Sequence, residues 1–375
     1  MNQFHSMVSR RDFMKGLGFG AIGLGAAAAA APVFHDLDEL ISSEGSAQKR
    51  PWWVKERELD DPTVELDWNM LKPHDCRLTT QADYVNGQYA GDDAWKQVKA
   101  EGSAFSKTLL GGKGNTVRDK ALGSAAQANL AFESVTTDGH FAGPQKVATP
   151  EKLGLPKWTG THEEASKMLR AAATFLGART GFSELGAGGS KHRNLIYTYQ
   201  RRGSGGASYM GSGWPPPLSV APRQVQEDID PGYIDGELIH IPNKELWKVA
   251  CMVPMSKEAW RTAQPDYSVS QASAANISRY RLWSTVLPCL QEFLRGIGYM
   301  GYGGVSSGSQ IVPSESSAVL SGLAEMGRHS EAIIDPEYGS NQGYWTLVTD
   351  LPLAPDHPID AGIFRFCHTV AAHSL

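Results

Sequence analysis

Cysteine is scarce: four in 375 residues, and Cys76, Cys251, Cys289 and Cys367 stand far apart. An even count leaves disulfide pairing open for an exported chain. Cys251 and Cys289, however, each lie in an apolar stretch where a thiol behaves as a small buried hydrophobe and a poor ligand. Also missing is any block of five or six like charges, since 35 basic and 40 acidic residues are interspersed for a formal net charge of −5. That excludes the electrostatic footprint of a nucleic-acid binder and of a polybasic, lipid-binding surface. There is no internal repeat and no Walker-type phosphate loop; Gly301-Tyr302-Gly303-Gly304 is a glycine cluster suited to a turn, not to a nucleotide cradle. Long apolar runs are absent apart from Gly16 to Val33, which is built largely of Gly and Ala and is too weakly apolar for a permanent membrane span.

What is present begins just before that run. Ser9-Arg10-Arg11-Asp12-Phe13-Met14-Lys15 has the form of a twin-arginine export signal, with small residues near Ala29 and Ala31 for cleavage. The route carries folded cargo, so an enzyme using it takes its cofactor in the cytoplasm, and the reducing conditions there weigh against structural disulfides. An exported, cofactor-dependent redox protein is expected, with the twin-arginine translocase as a partner. Ten Trp, 12 Tyr, 12 Phe and 40 Gly describe a loop-rich, aromatic-lined body able to enclose a large flat or apolar ligand. The expected organisation is a signal peptide over 1–33, a loop-rich N-terminal region over 34–160, a core over 161–362 and a terminal segment over 363–375.

Periodicity predicts an α+β body. Thr161-His162-Glu163-Glu164 makes a capping box ahead of a helix whose apolar face is Ala165, Met168, Leu169, Ala172, Phe175 and Leu176. Leu195 to Tyr199 and Trp247 to Val253 read as strands, and Ser256 caps a short helix through Trp260. A second helix carries Val286, Leu287, Leu290, Phe293, Leu294 and Ile297 on one stripe, with Pro288 in its first turn and Gly296 as its stop. A third is expected from Ser314 to Met326, followed by a strand over Trp345 to Thr349. The stretch from Asp60 to Gly160 is polar with little periodicity and reads as loops and short elements.

Several words along the chain occur together and in order. They are the Ser9 to Lys15 signal, Phe34 to Leu40, Lys49-Arg50-Pro51-Trp52-Trp53-Val54-Lys55, Ser278-Arg279-Tyr280-Arg281, Phe293 to Tyr299, Ser321 to Arg328, Pro336-Glu337-Tyr338-Gly339, and Thr349 to Pro355 running on to Asp360-Ala361-Gly362-Ile363. In combination they resemble the catalytic subunit of the corrinoid and iron-sulfur dependent reductive dehalogenases of organohalide respiration; the 60–160 stretch matches least. The resemblance implies a nitroreductase-like, corrinoid-binding core holding a base-off cobamide without a protein His ligand. It implies a halogenated hydrocarbon as substrate, a small membrane-anchor subunit as partner, and a peripheral place on the outer face of the cytoplasmic membrane. Cobalt chemistry of this kind needs an electron source, a proton donor and a dry aromatic pocket. Tyr280 is the position the resemblance assigns to the proton donor, with Arg279, and beyond it Arg281, as flanking cations.

Two departures accompany the resemblance. The family places an Arg shortly after Pro-Glu-Tyr-Gly as the cation beside the donor, and Ser340 to Trp345 contains none. Arg328 belongs to a different word. Family members also continue into Cys-x2-Cys-x2-Cys-x3-Cys-Pro and a second cysteine group, which ligate two 4Fe-4S cubane clusters. Here Cys367 occupies the first ligand position, while Val370 and His373 stand where the next two cysteines belong. The 363–375 segment therefore reads as a truncated start of the cluster domain, with the ferredoxin-like remainder expected to be absent. Two readings follow: a reductive dehalogenase, or a cluster-less remnant that binds a corrinoid without turnover. An exported oxidoreductase with another cofactor is a third, family-free reading.

Overall fold

The stretch Leu246–Pro254 is apolar on both alternating faces except at Lys248, a pattern that suits a strand covered above and below. In the computed structural model it is the inner strand of a four-stranded antiparallel sheet in the order Arg179–Gly186, Leu246–Pro254, Gln342–Thr349, Gly301–Tyr302. The structure describes residues 37–42, 50–75, 91–128, 141–200, 222–263, 269–303, 310–328 and 333–371. The expected signal, Cys76 and His373 lie outside them. The chain divides into two units, Met1–Leu40 and Ile41–Leu375; of the first, only the opening of the Leu37–Ser42 helix is described, and all that follows concerns the second.

Register fixes which side chains share a face. Ser183, Lys248 and Val348 stand opposite one another, as do Gly181, Ala250 and Thr346, and on the other face Thr180, Cys251 and Trp345. The Cys251 face packs Phe182, Val249 and Leu347 against the His162–Phe175 and Leu287–Ile297 helices. Ala250 and Met252 on the opposite face lie against the Ser314–Leu320 helix through Ala318 and Val319. A second sheet, in the order Tyr199–Gln200, Arg223–Glu227, Leu238–Ile241, Tyr233–Ile234, contains one parallel pair and packs Ile239 and Ile241 with Leu185 and Leu246.

The local signals act as expected where they are self-contained. Thr161 Oγ1 accepts from the Glu164 amide at 3.2 Å while Glu164 Oε2 accepts from the Thr161 amide at 2.7 Å, starting the His162–Phe175 helix. Ser256 Oγ accepts from the Ala259 amide at 3.2 Å and starts Lys257–Trp260. Phe175, expected on the apolar face, is 79% exposed because it sits in the last turn, beyond the reach of the sheet. The second helix ends at Gly298, whose φ of 95° only glycine adopts easily, and not at Gly296. The third ends at Leu320, since the chain turns at Gly322 and Glu325–Met326 pairs with Ile333–Ile334. Leu195 to Tyr199 is not a strand: a 3-10 turn at Lys191–Leu195 occupies its start, and only Tyr199 joins a sheet. The stretch expected to be loops holds two real helices, Asp92–Thr108 and Val117–Ala128, the latter tied to the Ser270–Ser278 helix by Gln271 Nε2 donating to Asp119 Oδ1 at 2.7 Å. Cys251 is buried as expected, but Cys289 is exposed on the outer side of its helix, and Cys251 and Cys367 are free thiols.

One buried carboxylate organises the end of the described chain. Glu325 is 1% exposed and accepts from Thr63 Oγ1 at 2.7 Å and from the amides of Ala361, Ile363 and Phe364 at 2.6, 3.1 and 3.2 Å. The amides at the start of the Ile363–Ala371 helix have no intrahelical acceptors, so this carboxylate caps it and complements its dipole. Glu325→Ala is expected to destabilise by about 2 kcal/mol or more and to abolish hydrogen-exchange protection over 363–371 before the sheet amides open.

Lys248 is the opposite case, a buried cation that lowers stability. It is fully buried, and desolvation pushes its pKa down to about 7 against attraction from Asp60 and Glu184. An unfolded lysine keeps its proton to about pH 10, so between those values the unfolded state holds more protons and stability rises with pH. Below about pH 7 both states are charged and the full penalty, on the order of a few kcal/mol, applies. Lys248→Met should therefore be more stable than wild type at neutral pH and should lose the rise in alkali, as read by urea unfolding across that range.

Candidate functional site

The Ser270–Ser278 helix stops one residue before Arg279, and a π turn follows over Leu282–Val286. Between them the backbone bonds are of the tighter kind, Tyr280 N to Ile277 O at 2.9 Å and Leu282 N to Arg279 O at 3.1 Å. Adjacent residues in a regular helix do not face each other. At this break they do: Arg279 Nη2 donates to the Tyr280 hydroxyl at 3.2 Å, and the guanidinium carbon lies 5.0 Å from the ring centroid. A single π turn inside a helix is a frequent mark of a functional segment.

The Tyr280 ring is part of an aromatic chain. It lies 4.2 Å from Trp283, which meets Trp345 edge-on at 4.6 Å, and both stand against the core on the Cys251 face. Four buried polar atoms here have no hydrogen-bond partner: Arg279 Nε, Trp283 Nε1, Ser284 Oγ and Trp345 Nε1. An unsatisfied buried donor costs about 1–3 kcal/mol, so these atoms lower stability unless a bound ligand or water meets them. The strand residue beside it is Gly343, where an added Cβ would overlap Arg279 Cβ. The segment expected to carry a family Arg instead carries the glycine that lets Arg279 in.

Arg281, the other flanking cation, does not reach Tyr280. Its Nη2 donates to Pro254 O at 2.8 Å, and burial lowers its pKa while Tyr338 acts in the other direction. Tyr338 borders an open cleft of ≈ 500 Å³, lined also by Met255, Lys257, Glu337 and Asn341. Arg179 shapes this rim by pairing with Asp335 at 2.8 Å and lying over the Tyr338 ring at 5.3 Å.

Cys367 is half-buried on the Ile363–Ala371 helix. Among the described residues no group of three or more His, Cys, Asp and Glu side chains could hold a metal. The sequence pattern singled out Tyr280 and Arg279, which the structure brings together. It missed Trp283, Trp345 and Gly343, which the π turn and the strand register place beside them. The one available signal was Trp345 in a strand that follows the Pro-Glu-Tyr-Gly word.

With this geometry in hand, comparison with known proteins is specific. The family model described as "Dehalogenase: Reductive dehalogenase subunit" matches residues 49–353. A chloroethene reductive dehalogenase of Dehalococcoides mccartyi strain VS is 32% identical over 98% of this chain and 78% of its own length. A trichloroethene reductive dehalogenase of another strain of that species is 29% identical over 98% of this chain and 79% of its own. Among solved structures, the catabolic reductive dehalogenase NpRdhA in complex with 3-bromo-4-hydroxybenzoic acid gives a TM-score of 0.51 at 16% identity over 84% of this chain. A reductive dehalogenase whose structure suggests a mechanism for B12-dependent dehalogenation gives 0.50 at 16% identity over the same share. This chain spans 36% of each of those solved chains, and the likeness shows a shared mixed helix-and-sheet fold. By the family match over most of its length and by its relatives, the chain belongs to the reductive dehalogenases, a family of oxidoreductases.

Proposed function

We propose that this protein catalyses the corrinoid-dependent reductive removal of halide from a halogenated hydrocarbon, with Tyr280 as the proton donor and Arg279 as its cation. The observation that carries the reading is the Arg279 bond to the Tyr280 hydroxyl at 3.2 Å, beside two indoles whose N–H groups lack acceptors. The reaction consumes two electrons and one proton per carbon-halogen bond replaced by carbon-hydrogen, and releases one halide.

A cobamide suits this donor set. The unpartnered Arg279, Trp283 and Trp345 N–H groups would meet carboxamide acceptors, and the apolar ring faces would pack a large flat molecule. When bound, the cofactor would supply the low-potential cobalt that cleaves the carbon-halogen bond. The rest falls to the polypeptide. Tyr280 delivers its hydroxyl proton to the carbon that loses the halide, and Arg279, always charged, stabilises the phenolate left behind. Trp283 and Trp345 exclude water, so that the donated proton is the tyrosine's.

Cubane iron-sulfur clusters do not fit the described residues, because Cys367 stands without companion ligands there. The activity of the relatives favours turnover over a corrinoid-binding remnant. The Ser9 to Lys15 word supports export by the twin-arginine translocase. No described helix is long and apolar enough to cross a membrane, and we place the protein peripherally on the outer face, held by a small anchor subunit.

The decisive experiment is anaerobic reconstitution with cobamide, followed by cobalt determination and halide release from chlorinated ethenes with a low-potential donor. About one cobalt per chain with halide release is expected; no bound cobalt overturns the reading. Tyr280→Phe should keep its cobalt and lose about 10²–10⁴ in kcat. Gly343→Ala, which evicts Arg279, should match the loss seen in Arg279→Met, whereas unchanged turnover in Gly343→Ala would remove Arg279 from the mechanism.

A further inference from the structure

We propose that Lys248, Ser183 and Thr346 form an internal halide site on the sheet face opposite Tyr280. The three side chains leave the same face of adjacent strands: Ser183 stands directly opposite Lys248, and Thr346 lies one row on, opposite Ala250, within diagonal reach of a long side chain. They are 6%, 0% and 2% exposed in the order Ser183, Lys248, Thr346, and Lys248 Nζ and both hydroxyl oxygens have no hydrogen-bond partner. The carboxylates nearest in effect are Asp60 and Glu184. Asp60 is already held by His192 Nε2 at 2.8 Å and Lys191 Nζ at 2.7 Å, and Glu184 leaves the other face of its strand into solvent. Neither pairs with the ammonium.

A lysine ammonium has three donors and no acceptor, and the two hydroxyls on the same sheet face each carry a hydrogen free to turn toward an anion. The walls are apolar, with Leu185 and Val348 on one side and Met252 on the other, and Ser321 fills the space left by Gly181 while donating its own hydrogen to Ala318 O. A buried ammonium without a carboxylate partner calls for an anion, and among side chains 0–6% exposed a single-atom ion needs the least space. A fully buried, unpaired ammonium costs stability, which an anion bound beside it would offset. The site rests on these side chains; the choice of halide as the physiological anion rests on the reaction proposed above, which releases it.

The test is a sodium bromide titration of the purified protein at constant ionic strength, balanced with sodium methanesulfonate, read by thermal midpoint and by broadening of the bromide NMR signal. Wild type should show a saturable rise in midpoint and specific broadening. Lys248→Met should show neither, while unfolding at higher temperature without bromide. Thr346→Val, which keeps the fold and removes one donor, should weaken bromide binding about tenfold. Equal bromide responses in wild type and Lys248→Met, no saturable response in wild type, or an equal Lys248-dependent response to phosphate would each overturn the halide site. Turnover is not read, so failure of the dehalogenation reading would leave these outcomes unchanged.

Discussion

The pairing of Leu246–Pro254 along both of its edges is the constraint on which the rest depends. Side chains alternate along a strand, so a slip of one residue would send Lys248 toward the His162–Phe175 helix and expel Val249 and Cys251 from that core. With eight of nine residues buried, neither face can accept the other's set. The sheet thereby separates two chemistries. Trp345 belongs to the face that meets Trp283 and Tyr280, while Lys248, Ser183 and Thr346 look the other way. A proton donor and a buried ammonium can thus coexist without competing for one ligand.

The sheet is held from its ends by contacts distant in sequence. Lys55 and Glu56 pair with Asp360 and Ile359, His357 Nδ1 bonds to Arg57 O at 2.8 Å, and Thr63 reaches Glu325. Arg170 grips Asp356 through both carboxylate oxygens at 2.8 and 2.7 Å, and Asp356 also accepts from the Phe182 amide at 2.8 Å. Burial raises the Asp356 pKa and Arg170 opposes it, so this carboxylate is retained by its partners and not by solvent. The flanks of the Pro-Trp-Trp word near the start and of the Leu-Pro-Leu-Ala-Pro word near the end thereby form one seam.

Legibility in the sequence followed range of interaction. The Thr161 box, the Ser256 cap and Pro288 in a first turn are complete within four residues, and each is where the pattern puts it. Gly296 and Gly298 are indistinguishable by type; only the backbone angle that ends the helix separates them. Val117–Ala128 shows no apolar stripe, and Asp92–Thr108 carries only the thin one of Trp95, Val98 and Phe105; both bury little, with Val98, Phe105, Val117 and Leu122 all exposed. Lys248 was visible as a charge inside an apolar strand, yet its neighbours Ser183 and Thr346 come from strands 65 and 98 residues away, and no local pattern connects them.

The same distinction accounts for the cation beside Tyr280. The resemblance implies an Arg shortly after the Pro-Glu-Tyr-Gly word, a charge brought to the tyrosine from a distant segment. In this chain that segment contributes an absence, Gly343, and the charge comes from the residue next to the tyrosine itself. Two consecutive residues can meet only where helical geometry fails, and the interval between Ser278 and the π turn at Leu282 is such a place. The break is therefore part of the site: lengthening the α-helix by one regular turn would point Arg279 and Tyr280 about 100° apart and leave the hydroxyl without its donor. Gly343, the helix break and Arg279 form one arrangement, and a substitution that restores regular geometry to any one of them removes the contact made by the other two.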